Sequence, residues 1–232
     1  MKDVLILPDI HGRSFWREAV KNLSPDDYAI FIGDYADPYP HEGISPEEAW
    51  INLLDIIVFA KEHAPRVTML LGNHDLHYIF QSYQEKAMSS RFCHYMESDF
   101  HRVFTNHLSL FCLSWECQVN GRQVLFTHAG VNEGWFKYNE KTIGELNASH
   151  LNQLLLSAEG INALAQIGYE RGGRYQYGSM VWADINEMET CKPFSHIYQV
   201  FGHTQQRHSP VITPHWACLD CRQAFWLSDI VK

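Results

Sequence analysis

The sequence predicts an α/β layered fold, and three observations carry that expectation. Short apolar runs rich in β-branched residues recur along the 232-residue chain. Several of them end in polar residues beside a glycine, and helical patterns lie between them. No repeat, low-complexity tract or Pro/Gly/Ser linker interrupts the series, so one domain over residues 1–232 is expected.

The apolar runs at 4–7, 28–32, 67–71, 124–126 and 197–201 have the length and composition of buried strands. The clearest helix is 45–63. Ser45 suits its N-cap, Pro46 its first position, and Glu48 closes a capping box. Trp50, Leu53, Leu54, Ile57 and Val58 then recur at helical spacing. Segments 13–23, 76–88 and 142–156 are expected to be further helices. Residues 108–126 read as consecutive strands, with Asn120-Gly121 as a hairpin turn.

Composition narrows the function classes. Apolar residues at 46% and charged residues at 19% exclude a disordered chain. Eighteen Lys+Arg against 27 Asp+Glu give a net charge of −9, which argues against a generic nucleic-acid or anionic-membrane binder. A phosphate-bearing substrate stays compatible, because a bound cation inverts the local field. The N-terminal MKDVLILPDIHG lacks the long apolar core of a signal peptide, and no apolar run approaches a membrane span. Six cysteines are too sparse for a disulfide scaffold. A soluble, cytoplasmic chain is expected, and nothing in the sequence assigns an oligomeric state.

Five of the strands end in chemistry: Asp9 and His11; Asp34; Asn73 and His74; His128; His203. The carboxyl ends of strands in α/β sheets converge on one crevice, so these residues can meet. Carboxylate, imidazole and carboxamide without sulfur suit Mn, Fe, Zn or a similar divalent ion. Each piece alone could be a turn or a cap. Their recurrence at five strand ends is what a catalytic pocket requires and a structural role does not.

These blocks resemble the ordered motifs of the calcineurin-like metallophosphoesterases: Asp9-Ile-His11-Gly, Gly33-Asp34-x-x-Asp37, Gly72-Asn73-His74-Asp75, His128-Ala-Gly130 and Gly202-His203-Thr204. More narrowly they resemble the phosphoprotein-phosphatase-type branch, including bacterial serine/threonine phosphatases. Val181-Trp182-Ala183-Asp184 is also similar to a segment of that branch. The resemblance implies a four-layer α-β-β-α sandwich of two mixed sheets flanked by helices, with a dinuclear metal site at the strand ends. It implies Asp9, His11 and Asp34 on one metal and Asp34, Asn73, His128 and His203 on the other, with Asp34 bridging. It also implies His74 as general acid oriented by Asp75, and Asn73 as a substrate contact. The cofactor would be two divalent ions, with Mn2+ expected and Fe, Zn, Ni, Co or Mg as alternatives. A hydroxide shared by the metals would attack the phosphorus directly.

Three departures from the branch stand out. Its second block usually continues Asp-Arg-Gly, but Asp37 is followed by Pro38-Tyr39-Pro40, so a phosphate-gripping Arg is missing there. Arg171 and Arg174, in Arg-Gly-Gly-Arg, are the expected replacements. Gln205 stands where more distant relatives place a second His, and Pro8 replaces a common Gly. Elsewhere, Cys218 and Cys221 form one CxxC without the second pair a structural zinc needs. Asp220 is expected to support structure. His77, His94, His101 and His107 are expected to be surface or packing residues.

The expected function is a two-metal phosphatase acting on a phosphorylated substrate, a phosphoprotein or a small metabolite. A dinucleoside polyphosphate hydrolase is the alternative, since Leu71-Gly-Asn-His-Asp-Leu-His77 and Thr127-His-Ala-Gly-Val131 are similar to the symmetrical diadenosine tetraphosphate hydrolases. A catalytically silent scaffold is the lesser alternative, because all the expected ligands are retained.

Overall fold

A computed structural model describes residues 2–231. Two five-stranded mixed sheets form its centre. The first has the order β10-β1-β2-β3-β4, built from β1 (Val4–Leu7), β2 (Tyr28–Phe31), β3 (Val67–Leu70), β4 (Phe111–Cys112) and β10 (Phe225–Trp226). The second has the order β5-β6-β7-β9-β8, from β5 (Ser114–Val119), β6 (Arg122–Thr127), β7 (Ile197–Phe201), β8 (Val211–Ile212) and β9 (Trp216–Cys218). Strands β1 to β4 run parallel, as do β6, β7 and β9.

Alternation along the strands divides the core in two. Val4, Ile6, Ile30 and Ile32 from the first sheet meet Val124, Phe126, Tyr198 and Val200 from the second, closing the space between the sheets. Leu5, Leu7, Ala29 and Phe31 point the other way, where helices cover them. The main covering helix is α2 (Pro46–Glu62), which follows the short α1 (Phe15–Ala19). It carries the expected capping box, with Ser45 and Glu48 bonding reciprocally, and buries Leu53, Ile56 and Ile57. None of the helices is long and apolar enough to cross a membrane, among the described residues.

Two expected helices are divided. The helical stretch after β3 starts three residues early, as α3 (Asn73–Ile79), and restarts after Phe80 as α4 (Gln81–Ala87). Phe80 is extended (φ −119°, ψ 113°) and so interrupts the helical ladder. Segment 142–156 breaks at Gly144, whose φ of 81° ends α7 (Glu140–Ile143) before α8 (Ala148–Gln153) begins. The remaining helices are α5 (Glu97–Asn106), α6 (Glu133–Tyr138), α9 (Ala158–Leu164), α10 (Ile185–Thr190) and α11 (Leu227–Ile230). The Asn120-Gly121 turn forms as expected, with φ of 51° and 77°.

Candidate active site

The parallel strands of both sheets deliver their following residues to one place. Asp9 and His11 follow β1, Asp34 and Asp37 follow β2, Asn73 and His74 open α3 after β3, His128 follows β6, and His203 follows β7. All eight are buried. The turns that aim them are strained: His11, Asp34, Asp37 and His203 all have positive φ, between 44° and 65°. Non-glycine residues hold this conformation only where surrounding structure over-determines it. Glycine is required at two neighbouring positions for a different reason. A Cβ on Gly72 would collide with Asp34 Oδ1, and one on Gly202 would collide with Asp9 Oδ2.

Three groups of potential metal-ligating atoms result among the described residues: Asp9–His11–Asp34 and Asp34–His128–His203, which share Asp34, and Asp37–His74–His77 beside them. His11 Nε2 and His128 Nε2 lie 3.3 and 3.4 Å from the same Asp34 oxygen. The far nitrogens are pinned by backbone carbonyls: His11 Nδ1 to Ala36 O and His128 Nδ1 to Ile32 O, both at 2.9 Å. That leaves the Nε2 atoms as the coordinating ones. His128 Nε2 also sits 3.1 Å from both His203 Nδ1 and Asn73 Oδ1.

Such a convergence of acceptors fits cations. Burial pushes the Asp9 carboxyl up to about 6, against the pull of His128. Burial also opposes charge on Asp34, but His128, His74 and His11 outweigh it and hold its carboxyl well below the usual range. Burial works against charge on His128, yet Asp34 raises it to about 10. A further carboxylate, Asp220, is buried at the same end with neither oxygen hydrogen-bonded. Burial beside Asp9 pushes it up to about 8. Its nearest cation is Arg13, at 4.0 Å. The carboxylate, imidazole and carboxamide donors suit two divalent ions without sulfur.

Beside the two groups that share Asp34 stands His74. Its Nδ1 is 2.7 Å from Asp37 Oδ2, and its Nε2 is 2.8 Å from an Arg91 NH2 group. Guanidinium only donates, so Nε2 accepts and the imidazole proton sits on Nδ1, facing Asp37. Asp37 is held from three sides, since His77 Nε2 lies 2.9 Å from Oδ2 and the Tyr78 hydroxyl donates to Oδ1 at 2.5 Å. Burial disfavours its charge, but the bonds from His74 and His77 prevail and keep Asp37 ionised. Arg91 also donates to the Asp37 carbonyl and stacks over Tyr39, its guanidinium carbon 3.7 Å from the ring centre.

Comparison with known proteins now decides the family. Residues 2–207 match the model of the calcineurin-like phosphoesterases. The chain belongs to that family. It is therefore a metal-dependent phosphoric ester hydrolase, with the family's two-sheet fold. A cold-active protein tyrosine phosphatase shares that fold at a TM-score of 0.59 and 15% identity, over 98% of this chain and 74% of its own. A protein serine/threonine phosphatase from Saccharomyces cerevisiae matches at a TM-score of 0.46 and 12% identity, over 94% of this chain and 66% of its own. No curated protein matches the sequence.

Within this phosphoesterase the expected orienting residue is replaced. Asp75 does not touch His74. Neighbouring helical residues point about 100° apart, and Asp75 turns inward to accept from the backbone N–H groups of Asp34, Tyr35 and Gly72 at 2.8–2.9 Å. It shapes the Asp34 turn, and Asp37 takes the place beside His74. His77, expected at the surface or in packing, is a buried packing residue: its ring meets Tyr78 and Phe92 edge-on, its Nε2 lies 2.9 Å from Asp37, and its Nδ1 accepts from Ser89 N at 3.4 Å. Of the two expected arginines, Arg171 reaches the rim, donating to Thr204 Oγ1 at 2.6 Å and pairing with Asp184 at 2.8 Å. Arg174 does not. Gly172, in left-handed conformation (φ 74°), reverses the chain between them and sends Arg174 over Tyr175, into a neighbouring cleft. Arg91 escaped the sequence reading altogether, because Ser89-Ser90-Arg91-Phe92 carries no motif.

Proposed function

We propose that this phosphoesterase hydrolyses phosphomonoesters, on a phosphoprotein or a small phosphorylated metabolite, with His74 as the general acid. The observation that carries this reading is the position of His74. One nitrogen is fixed on a buried carboxylate, and the other is bonded to an Arg91 NH2 group that itself lies 3.5 Å from His11 Nε2.

Asp9, His11 and Asp34 would hold one divalent ion, and Asp34, Asn73, His128 and His203 the other, with Mn2+ the expected metal. When bound, such a pair supplies Lewis acidity toward the phosphoryl oxygens and an activated water. The chain's own groups do the rest. Asn73 presents its amide nitrogen, which has no partner in the structure, toward the substrate. Arg91 supplies the guanidinium that the Asp37-Pro38 block lacks, positioned to grip two phosphoryl oxygens. Burial pushes the His74 imidazole down to about 4 against the pull of Asp34 and Asp37. Once Arg91 has moved to the phosphoryl group, Nε2 takes a proton from solvent, Asp37 stabilises the imidazolium so formed, and Nε2 gives that proton to the departing alkoxide. Delivery requires Arg91 to leave Nε2, and a phosphoryl group between them offers the guanidinium its new partner.

The test is turnover by metal-stripped protein refilled with Mn2+, on a chromogenic phosphomonoester, its diester and a phosphopeptide. Monoester turnover that needs the metal is expected. His74→Ala should lower it roughly 10²–10⁴-fold on poor leaving groups and much less on good ones. Equal losses on both would remove the general-acid role, and a preference for the diester would remove the monoesterase reading.

A further inference from the structure

A cleft of about 690 Å³ lies outside the metal centre, between α4, α9 and the loop 167–175. Its walls are fastened to the centre at two points. On one side, the ring of Trp182 packs edge-on against His203, with centroids 5.8 Å apart, and its Nε1 donates to the Tyr83 hydroxyl of α4 at 2.7 Å. Lys86, one turn beyond Tyr83, lines the cleft. On the other side, Arg171 is bonded to Thr204, next to His203, and Gly172, Gly173 and Arg174 continue directly into the cleft wall.

The charge of the cleft runs against that of the molecule. The chain carries a net −9, yet Lys86 and Arg174 both line this space, and neither has a carboxylate within ion-pair distance among the described residues. The Asn162 side-chain oxygen accepts from the Lys86 ammonium and fixes its direction. Arg174 is steadied over the Tyr175 ring. Glu85 is the one acidic residue lining the cleft, and it is engaged by Gln81 at 3.2 Å. Two oriented cations against one carboxylate, in a space of small-molecule size, leave an excess of positive charge that suits an anion.

We propose that this cleft takes a second phosphoryl group of a small substrate whose first phosphoryl group is hydrolysed at the metal centre. The inference rests on the phosphoesterase reading above and narrows it from phosphomonoesters in general to substrates bearing two phosphoryl groups. Lys86 acts as a point charge and Arg174 as a planar fork. The exposed backbone of Gly172 leaves the oxygens room to approach.

The experiment compares the Mn2+-loaded wild type with the double variant K86Q/R174Q. The substrates are p-nitrophenyl phosphate, fructose 1,6-bisphosphate and adenosine 3′,5′-bisphosphate, the last two separating a sugar from a nucleotide source. A phosphopeptide with acidic flanking residues is the fourth. The variant should lose about tenfold in kcat/KM on a two-phosphoryl substrate, less at high salt, and keep its rate on p-nitrophenyl phosphate. An equal loss on all substrates, or no loss on any, overturns the proposal. A loss confined to the acidic phosphopeptide also overturns it and assigns the cleft to protein substrates. Should the wild type turn over none of them, the phosphomonoesterase reading proposed above fails by itself. Calorimetric titration with inorganic tripolyphosphate then reads the cleft: weaker binding by the variant supports the subsite, and identical binding removes it.

Discussion

The metal centre and the wall beside it are built on different principles. The candidate ligands of the centre all follow strand ends and are buried, and His11, Asp34 and His203 sit in left-handed turns. The wall is made by the loop carrying Arg91, by α4, and by loop 167–175, and its charged groups are partly open to solvent. The strand ends are held by two sheets and can sustain left-handed residues such as His11 and Asp34. The loops are held largely by side chains: Arg91 by Tyr39, Asp37 and His74, Arg171 by Asp184 and Thr204. One region is a fixed frame for chemistry, and the other is where one phosphate ester would be told from another.

The sharpest break of this contrast is Asp34→Asn. Because Asp34 belongs to both ligand groups, its loss should disturb both metals at once. Turnover should fall about 10³-fold or more, from several kcal/mol of lost transition-state stabilisation. Metal content by elemental analysis checks it. A variant that kept both ions and full activity would separate the two groups.

Arg91→Ala sits between the regions, and its effect should be smaller. Loss of a charge-assisted grip on phosphate is worth roughly 10–100-fold in kcat/KM. Arg91→Lys should restore only part of it, since one ammonium cannot reproduce a planar fork. Metal content should stay unchanged in both variants, and steady-state kinetics on a monoester gives the answer. Full activity in Arg91→Ala would return the phosphate grip to Arg171.

The mildest effect concerns the anchoring of loop 167–178. Glu187 is buried beneath it, accepting from Gly178 N at 2.7 Å and from Asn132 at 3.0 Å. Burial, aided by Asp184, raises its carboxyl from about 4.5 to about 7 against the Gly178 bond. The folded state therefore holds this proton more tightly than the unfolded chain does, so its stability contribution falls as pH rises from about 4.5 to about 7. In thermal melts, Glu187→Gln should gain on the wild type across that window and hold a constant difference above it. Parallel curves would show that Glu187 does not titrate there.

How far each region could be read in advance follows the same division. The strands, the capped helix and the Asn120-Gly121 turn were legible because each obeys a local period or a local bond. The candidate ligands can be picked out because each of these strand ends repeats a polar residue beside glycine. Asp37 was visible as part of its block, yet its role was assigned to Asp75, which is adjacent to His74 in sequence but turned away from it in space. Arg91 was invisible: its position depends on where α3 and α4 break at Phe80 and on the path of the chain afterwards. Arg171 and Arg174 looked equivalent until Gly172 separated them.

Local sequence carries the α/β class, the donor types and the order in which they come along the strands. These are short-range properties, set by periodicity, glycine and residue type. Only the tertiary structure decided which carboxylate supports His74, which arginine enters the site and which lines the cleft. Those outcomes depend on helix phase and on loop paths between elements distant in sequence, and no local pattern encodes them.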